Sequence, residues 1–358
     1  MKPKKILLIS TLFLLGALLS ACSSTAYSST SWHGLTASSD TAYLAAGTHV
    51  YAVDLNTGSE KWRYPVKPNA KITFYANPVL SGDGQLIVPS YDHKLYSLNP
   101  TTGSENWNFA GSTNRLIASP LVIQNMIYQP SSDGYVYVVD LTGKQVLPPM
   151  KTSGALWAQP VTNPECGCIY VASMDHMVYS FDATTGNQLW VSQELGGSMV
   201  DTPAVGTDGT LYVGTFGNEM IALDGTNGSI RWRFTTQDWV WSGPALANDV
   251  LYFGDLSGYF YALNTSDGTS LWRIQPNNSI VDSPVISGDN IYFTTEADTL
   301  YSVSTAGDIV YSKVIGGVIY SSPVIVGETI LVAPTGFDAL LVALTLDGNQ
   351  KWTFTPAK

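Results

Sequence analysis

Few side chains in this 358-residue chain offer chemistry: there are four histidines and three cysteines. His93 and His176 each follow an aspartate, in Tyr91-Asp92-His93 and Met174-Asp175-His176. Two imidazoles in equivalent turns could begin a metal site, but a zinc centre takes three or four protein ligands. No third ligand stands with them, so both are expected to be turn residues and no metal is assigned. Cys166 and Cys168 flank Gly167. In an oxidising compartment they are expected to close a small disulfide or to stay as inert thiols. A metal there would need two further ligands, and His176 belongs to the opposite end of its repeat. No Ser-His-Asp spacing, phosphate loop or pair of catalytic carboxylates stands out, so no catalytic or cofactor-binding residue is assigned.

The elements that would position these groups follow from a repeat. The stretch Ala52-Val53-Asp54-Leu55-Asn56-Thr57-Gly58-Ser59-Glu60-Lys61-Trp62 returns as copies ending at Trp107, Trp190, Trp232, Trp272 and Trp352. Two degenerate copies end at Val146 and Tyr311, which makes eight. Apolar residues alternate up to the Asp or Asn, whose side chain can bond its own backbone. Gly then supplies the positive φ of a tight turn, and alternation resumes toward Trp, so each copy reads as a β-hairpin.

A Ser-Pro-Val type start precedes each copy. The prolines stand at Pro78, Pro120, Pro160, Pro203, Pro244, Pro284 and Pro323, and the first repeat has His33-Gly34-Leu35-Thr36 instead. Residues 33–358 thus hold eight repeats of about 41 residues with four short strands each, A to D, a period that specifies a repeat architecture. With no amphipathic helical stretch between turns, the expected fold is all-β: an eight-bladed β-propeller of four-stranded antiparallel blades, whose closure protects sheet edges.

In an A-B-C-D blade the B-to-C turns and D-to-A connections share one face. The other face carries the monotonous Thr-Gly and Asp-Gly turns and reads as scaffold. The D-to-A connections carry large residues before the proline: Tyr75, Ile117, Trp157, Trp241 and Tyr320, with Arg115 and Trp239 close by. Tyr91, Phe216 and Phe337 join them from B-to-C turns. Exposed aromatic residues and Arg dominate protein interfaces, so Tyr75, Arg115, Trp157, Trp239, Trp241 and Tyr320 are the candidate partner-binding ring. Trp157 and Trp241 fit a binding rim and a channel plug equally, Ile117 fits core, and Trp239 is expected to be exposed.

At the N-terminus, Lys2, Lys4 and Lys5 precede an apolar run from Ile6 to Leu19 and then Ser20-Ala21-Cys22. The run is too short for a stable span and reads as an export signal. It resembles a bacterial lipoprotein signal, which implies cleavage after residue 21 and lipidation (palmitate) of Cys22; an ordinary signal peptide with an incidental cysteine is the alternative. Residues 22–32 read as a Ser/Thr-rich tether. Ser23 lacks the aspartate that marks inner-membrane retention in such lipoproteins. The outer membrane facing the periplasm is therefore expected in a two-membrane host, and the cell surface otherwise. Removing residues 1–21 leaves 14 basic side chains against 28 acidic ones, a formal charge of −14. Such a surface repels nucleic acid and anionic headgroups, so membrane contact is expected through the lipid anchor.

The Ala-x-Asp-x-x-Thr-Gly-x-Glu-x-Trp motif, matched at every fixed position by Ala52 to Trp62 and partly by the other copies, resembles the tryptophan-docking motif of pyrroloquinoline quinone (PQQ) propellers. The resemblance covers nearly all of residues 33–358. For Trp62, Trp107, Trp190, Trp232, Trp272 and Trp352 it implies a structural role, each ring packing between neighbouring blades. The family includes quinoprotein dehydrogenases, which use PQQ with calcium, an adjacent Cys-Cys pair and a catalytic Asp. It also includes non-enzymatic BamB-like lipoproteins of the outer-membrane β-barrel assembly machinery. Here Gly167 separates the cysteines, and a single lipidated domain of eight repeats is closer to the second layout. That layout implies a non-catalytic, lipid-anchored scaffold without cofactor that binds envelope proteins of a β-barrel assembly complex. A PQQ-dependent oxidoreductase and a surface carbohydrate- or peptide-binding propeller are the alternatives.

Overall fold

The computed structural model describes residues 32–357; the signal segment, Cys22 and all but the last tether residue lie outside the described residues. Every regular element among them is a β-strand. The strands form eight four-stranded antiparallel sheets, each in sequence order, covering 34–64, 79–109, 121–151, 161–191, 204–235, 245–274, 285–314 and 324–354. The chain is an eight-bladed β-propeller.

Blade 5 shows how sequence builds one unit, from strands Ala204–Val205, Thr210–Thr215, Glu219–Asp224 and Ile230–Thr235. Strands B and C are buried on both faces, as in every blade. Strand D alternates half-buried and exposed residues, while strand A is half-buried. That gradient places D at the rim and A around the axis, where the A strands of blades 1 and 8 lie side by side.

The repeat motif has a direct physical basis at its turn. Asp54 Oδ1 accepts the backbone N–H of Asn56 and Thr57, both at 3.0 Å, and Gly58 donates to the Asp54 carbonyl at 2.8 Å. Gly58 takes φ +72°, and a Cβ there would lie 2.7 Å from the indole of Trp352. The glycine thus serves both its own turn and the neighbouring tryptophan. The same arrangement sets Trp62 over Gly103, Trp107 over Gly143, Trp190 over Gly228, Trp232 over Gly268 and Trp272 over Gly307.

Each of these indole Nε1 groups also donates to a backbone carbonyl of the following blade. The acceptors are Pro100, Leu141, Gly225, Thr265, Thr305 and, for Trp352, Leu55, at 2.8–3.0 Å. Blade 7 has no tryptophan, and Tyr311 does the same work over Gly348, its hydroxyl reaching the Leu346 carbonyl at 3.1 Å. Blade 3 departs from the pattern: its D strand is only Met150–Lys151. Pro148 and Pro149 have no N–H to give the ladder, and Met150 with Leu147 covers Gly186 in place of an aromatic ring.

Blades 1 and 8 contain the two ends of the described chain, and no strand is exchanged between them. Their junction is held by side chains. Leu35, Leu44 and Val53 pack with Leu331, Leu341 and Phe354, Phe354 meets Tyr51 edge-on at 5.5 Å, and Arg63 donates to the Ala357 carbonyl at 3.1 Å.

Candidate interaction site at the propeller mouth

The B-to-C turns explain the two histidines. His93 and His176 adopt φ of +70° and +71°, the position that Gly134 and Gly258 fill in blades 3 and 6. Histidine is among the residues that tolerate this left-handed region. The preceding aspartates are used within the blade: Asp92 and Asp175 each accept a strand-C tyrosine hydroxyl, Tyr96 and Tyr179, at 2.7 Å. His176 Nδ1 meets Glu194 at 3.0 Å. Among the described residues no group of three or more His, Cys, Asp or Glu is arranged to hold a metal. The sulfurs of Cys166 and Cys168 are bonded to each other, in the A-to-B turn of blade 4 and so on the face away from the mouth.

The candidate ring resolves into two clusters and two separate residues. In one cluster the Tyr75 and Tyr91 rings meet edge-on at 4.3 Å, and the Arg115 guanidinium lies 5.4 Å from the centre of Tyr91. Arg115 is exposed. Tyr75 is only 7% exposed, which corrects its expected place at the surface: wedged against Tyr91 and 6.3 Å from Trp32, it supports the mouth from beneath. Burial pushes the Tyr91 hydroxyl up to about 12.

In the second cluster Trp239 stacks on Phe216 with ring centres 4.8 Å apart and planes 11° from parallel, and Trp241 leans on the same Phe216 at 5.2 Å. Trp239 is 45% exposed, and its main chain is tied on both sides. Its N–H donates to Asp238 Oδ1 at 2.7 Å, and its carbonyl accepts from Leu256 N at 3.0 Å. Phe216 is pinned in turn by its N–H on the Ser198 carbonyl at 3.0 Å. Trp157 and Tyr320 stand apart and are half-buried, with Tyr320 donating to Glu296 at 3.1 Å. Below the rim, Phe74, Leu116, Leu156, Val240, Ile280 and Ile319 are buried. They take the place in the core that the sequence analysis expected of Ile117, which is half-buried.

The structure also joins two residues that the sequence analysis passed over. Asp201 and Asp282 occupy the D-to-A connections entering blades 5 and 7, two residues before Pro203 and Pro284. Ser283 links them, its hydroxyl donating to Asp201 Oδ2 at 3.1 Å and its N–H to Asp282 Oδ1 at 2.7 Å. Both residues are half-buried; desolvation raises both carboxyls, and the neighbouring charge of Asp201 adds to the effect on Asp282. The signal in the sequence was their shared offset from the repeat proline, where the other blades carry Ala or Ser.

A sequence profile of the family described as outer membrane protein assembly factor BamB matches residues 29–173 and 174–282. Outer membrane protein assembly factor BamB of Nitrosomonas eutropha is 28% identical over 43% of this chain and 37% of its own length. Its counterpart in Legionella pneumophila is 27% identical over 34% and 30%. Serine/threonine-protein kinase AfsK of Streptomyces griseus is 24% identical over 40% of this chain and 22% of its own length. The chain therefore aligns with well under half of each of these curated relatives. Among solved structures, BamB from Moraxella catarrhalis superposes with a TM-score of 0.66 at 18% identity, covering 88% of this chain and 91% of its own. The computationally designed Ika8 protein superposes with 0.74 at 13% identity, over 92% and 98%. These superpositions concern the fold.

Proposed function

The chain belongs to the family of the outer membrane protein assembly factor BamB, and on that premise we propose that it is a non-catalytic scaffold acting in outer-membrane β-barrel protein assembly. The observation that carries this reading is the Trp239-Phe216-Trp241 platform. A large indole that is 45% exposed stacks on Phe216, and the main chain that carries it is tied by two hydrogen bonds. An exposed aromatic surface that is already ordered binds a partner with little entropy left to lose. Arg115 over Tyr91 adds a second contact of the type that interfaces favour. In this reading the lipid on Cys22 holds the propeller to the outer membrane on the periplasmic side. At full extension the ten-residue span from Cys22 to Trp32 then places Trp32, where the tether joins blade 1, at most about 35 Å from the bilayer.

The test is affinity isolation of the lipidated protein from mildly cross-linked membranes of its own host, followed by mass spectrometry. Recovery of a β-barrel assembly protein is expected. Trp239→Ala and Trp241→Ala should reduce that recovery several-fold while leaving the thermal midpoint nearly unchanged. Undiminished recovery by both variants would remove the platform from the site. Calcium-dependent uptake of PQQ, or saturable glycan binding lost in Trp157→Ala, would replace the scaffold reading by an oxidoreductase or a carbohydrate-binding one.

A further inference from the structure

The connection from blade 1 to blade 2, residues 65–78, is the longest between any two blades. Its inner half is pinned to the mouth face. Phe74 N–H donates to the Gly47 carbonyl in the B-to-C turn of blade 1 at 2.7 Å, and Tyr91 N–H, from that turn of blade 2, donates to the Thr73 carbonyl at 2.9 Å. Its outer half stands out in water. Residues 66–71 are all exposed, Val66 by 82%, and Asn69 closes the loop by accepting from Ile72 N–H at 2.9 Å and from Lys71 N–H at 3.1 Å. The tip therefore presents Val66 and Pro68 with Lys67 and Lys71 beside them.

These lysines belong to a positive sector. Among the described residues, the only Lys and Arg in the B-to-C turns and D-to-A connections are Lys67, Lys71, Lys94 and Arg115, all where blades 1, 2 and 3 meet. Lys94 closes the turn that carries Tyr91, its carbonyl accepting from Ser90 N–H at 3.0 Å, and Arg115 lies over the Tyr91 ring. None of the four forms a salt bridge. The acids of the same sector, Asp92 and Asp133, are half-buried and accept the Tyr96 and Tyr137 hydroxyls at 2.7 and 2.9 Å. Around the rest of the mouth stand Glu194, Asp238, Glu296, Asp298 and Asp338, none of them buried. In a chain whose formal charge is −11, cations confined to one sector make the molecule electrically lopsided, and a negative surface attracts that sector while repelling the remainder. The described chain also begins here: the ring of Trp32 lies 6.3 Å from that of Tyr75.

We propose that Lys67, Lys71, Lys94 and Arg115 dock on the anionic phospholipid headgroups of the bilayer that holds the Cys22 lipid, with Val66 at the headgroup boundary. The coupling to the anchor rests on the lipidation proposed above, and the attraction to headgroups does not. An acidic protein segment would meet the same charges, but the junction with the tether and an exposed apolar tip flanked by lysines both favour a membrane surface. Docking fixes the orientation of the propeller. Blades 1 to 3 face the bilayer, and the Trp239-Phe216-Trp241 platform, across the ring on blades 5 and 6, stays open to a partner.

The test is lysine acylation footprinting, read by mass spectrometry, of the lipidated protein in vesicles of phosphatidylethanolamine with phosphatidylglycerol and in vesicles of phosphatidylcholine alone. Lys67, Lys71 and Lys94 should react several-fold more slowly in the anionic vesicles, while Lys144, in the C-to-D turn of blade 3 on the opposite face, reacts equally in both. Equal labelling at all four would overturn the proposal. Lys67→Glu combined with Lys71→Glu, both in the exposed loop, should restore labelling of Lys94 without moving the thermal midpoint; continued protection of Lys94 would also overturn it. Cys22→Ser, which cannot be lipidated, should still float with the anionic vesicles at low salt and not with the neutral ones, and adding the two Glu substitutions should weaken that binding about tenfold or more. No flotation of Cys22→Ser would overturn the attraction to headgroups. A wild-type Cys22 found without lipid by mass would remove the anchor and leave the flotation result standing. If the Glu substitutions leave vesicle binding unchanged and instead lower recovery in the affinity isolation, the sector is a protein-binding surface and the proposal falls.

Discussion

The junction between blades 8 and 1 can be tested most sharply by Trp352→Ala. The indole lies half-buried over Gly58 and donates to the Leu55 carbonyl at 2.8 Å. Truncating a buried tryptophan costs roughly 3–5 kcal/mol, and the exposed part of this ring argues for the lower end. With about 2.1 cal/mol/K of unfolding entropy per residue over the 326 described residues, a loss of about 3 kcal/mol lowers the midpoint of a cooperatively melting ring by roughly 4–5 °C. Trp232→Ala is the matched control. It has the same carbonyl contact, at 2.9 Å to Thr265, and the same glycine beneath, Gly268. Between blades 5 and 6 the chain itself holds the neighbours together, whereas blades 8 and 1 rely on side-chain packing. Trp352→Ala should therefore cost more than Trp232→Ala, and hydrogen exchange should accelerate in blades 1 and 8 before the rest. The assay is thermal melting with exchange mass spectrometry on both variants. Equal midpoints and uniform exchange would refute the idea that this seam is the weakest link.

Gly58→Ala should weaken the same seam from the other side, since it places a methyl 2.7 Å from the ring at a positive φ; a wild-type melting curve would count against the docking geometry. His33 is buried without a partner for Nδ1, and burial lowers its pKa from 6.5 to about 4. The unfolded chain then binds a proton that the folded one refuses, so stability is full above pH 6.5 and falls as pH drops toward 4, by about 3 kcal/mol. His33→Gln should flatten that part of the stability profile relative to wild type, as measured by denaturant melts across the range. Cys166→Ser combined with Cys168→Ser should move the midpoint by less than about 2 °C, because closing a loop around one residue removes little entropy from the unfolded chain. Calorimetry of the double variant checks this.

Strand number, blade number and the docking tryptophans were legible in the chain because each repeat carries its own turn chemistry. The Asp-x-x-Thr-Gly turn, the alternation on either side and the closing Trp are local signals, and a period near 41 residues converts them into a closed ring. The two prolines that shorten the last strand of blade 3, Pro148 and Pro149, stand in the same repeat and mark where its pattern breaks. The mouth was legible only as a list. Exposure depends on neighbours from other blades, and spacing alone did not separate Tyr75, which sinks beneath Tyr91, from Trp239, which stacks above Phe216 in solvent. Asp201 and Asp282 stand 81 positions apart, and their link through Ser283 needs Gly243 in the blade between them. The sequence by itself determined the repeating unit, because hydrogen bonds in turns and side-chain alternation act over a few residues. The tertiary structure alone decided which side chains of different blades share one patch of water or one hydrogen-bond chain, because closing the ring sets those distances.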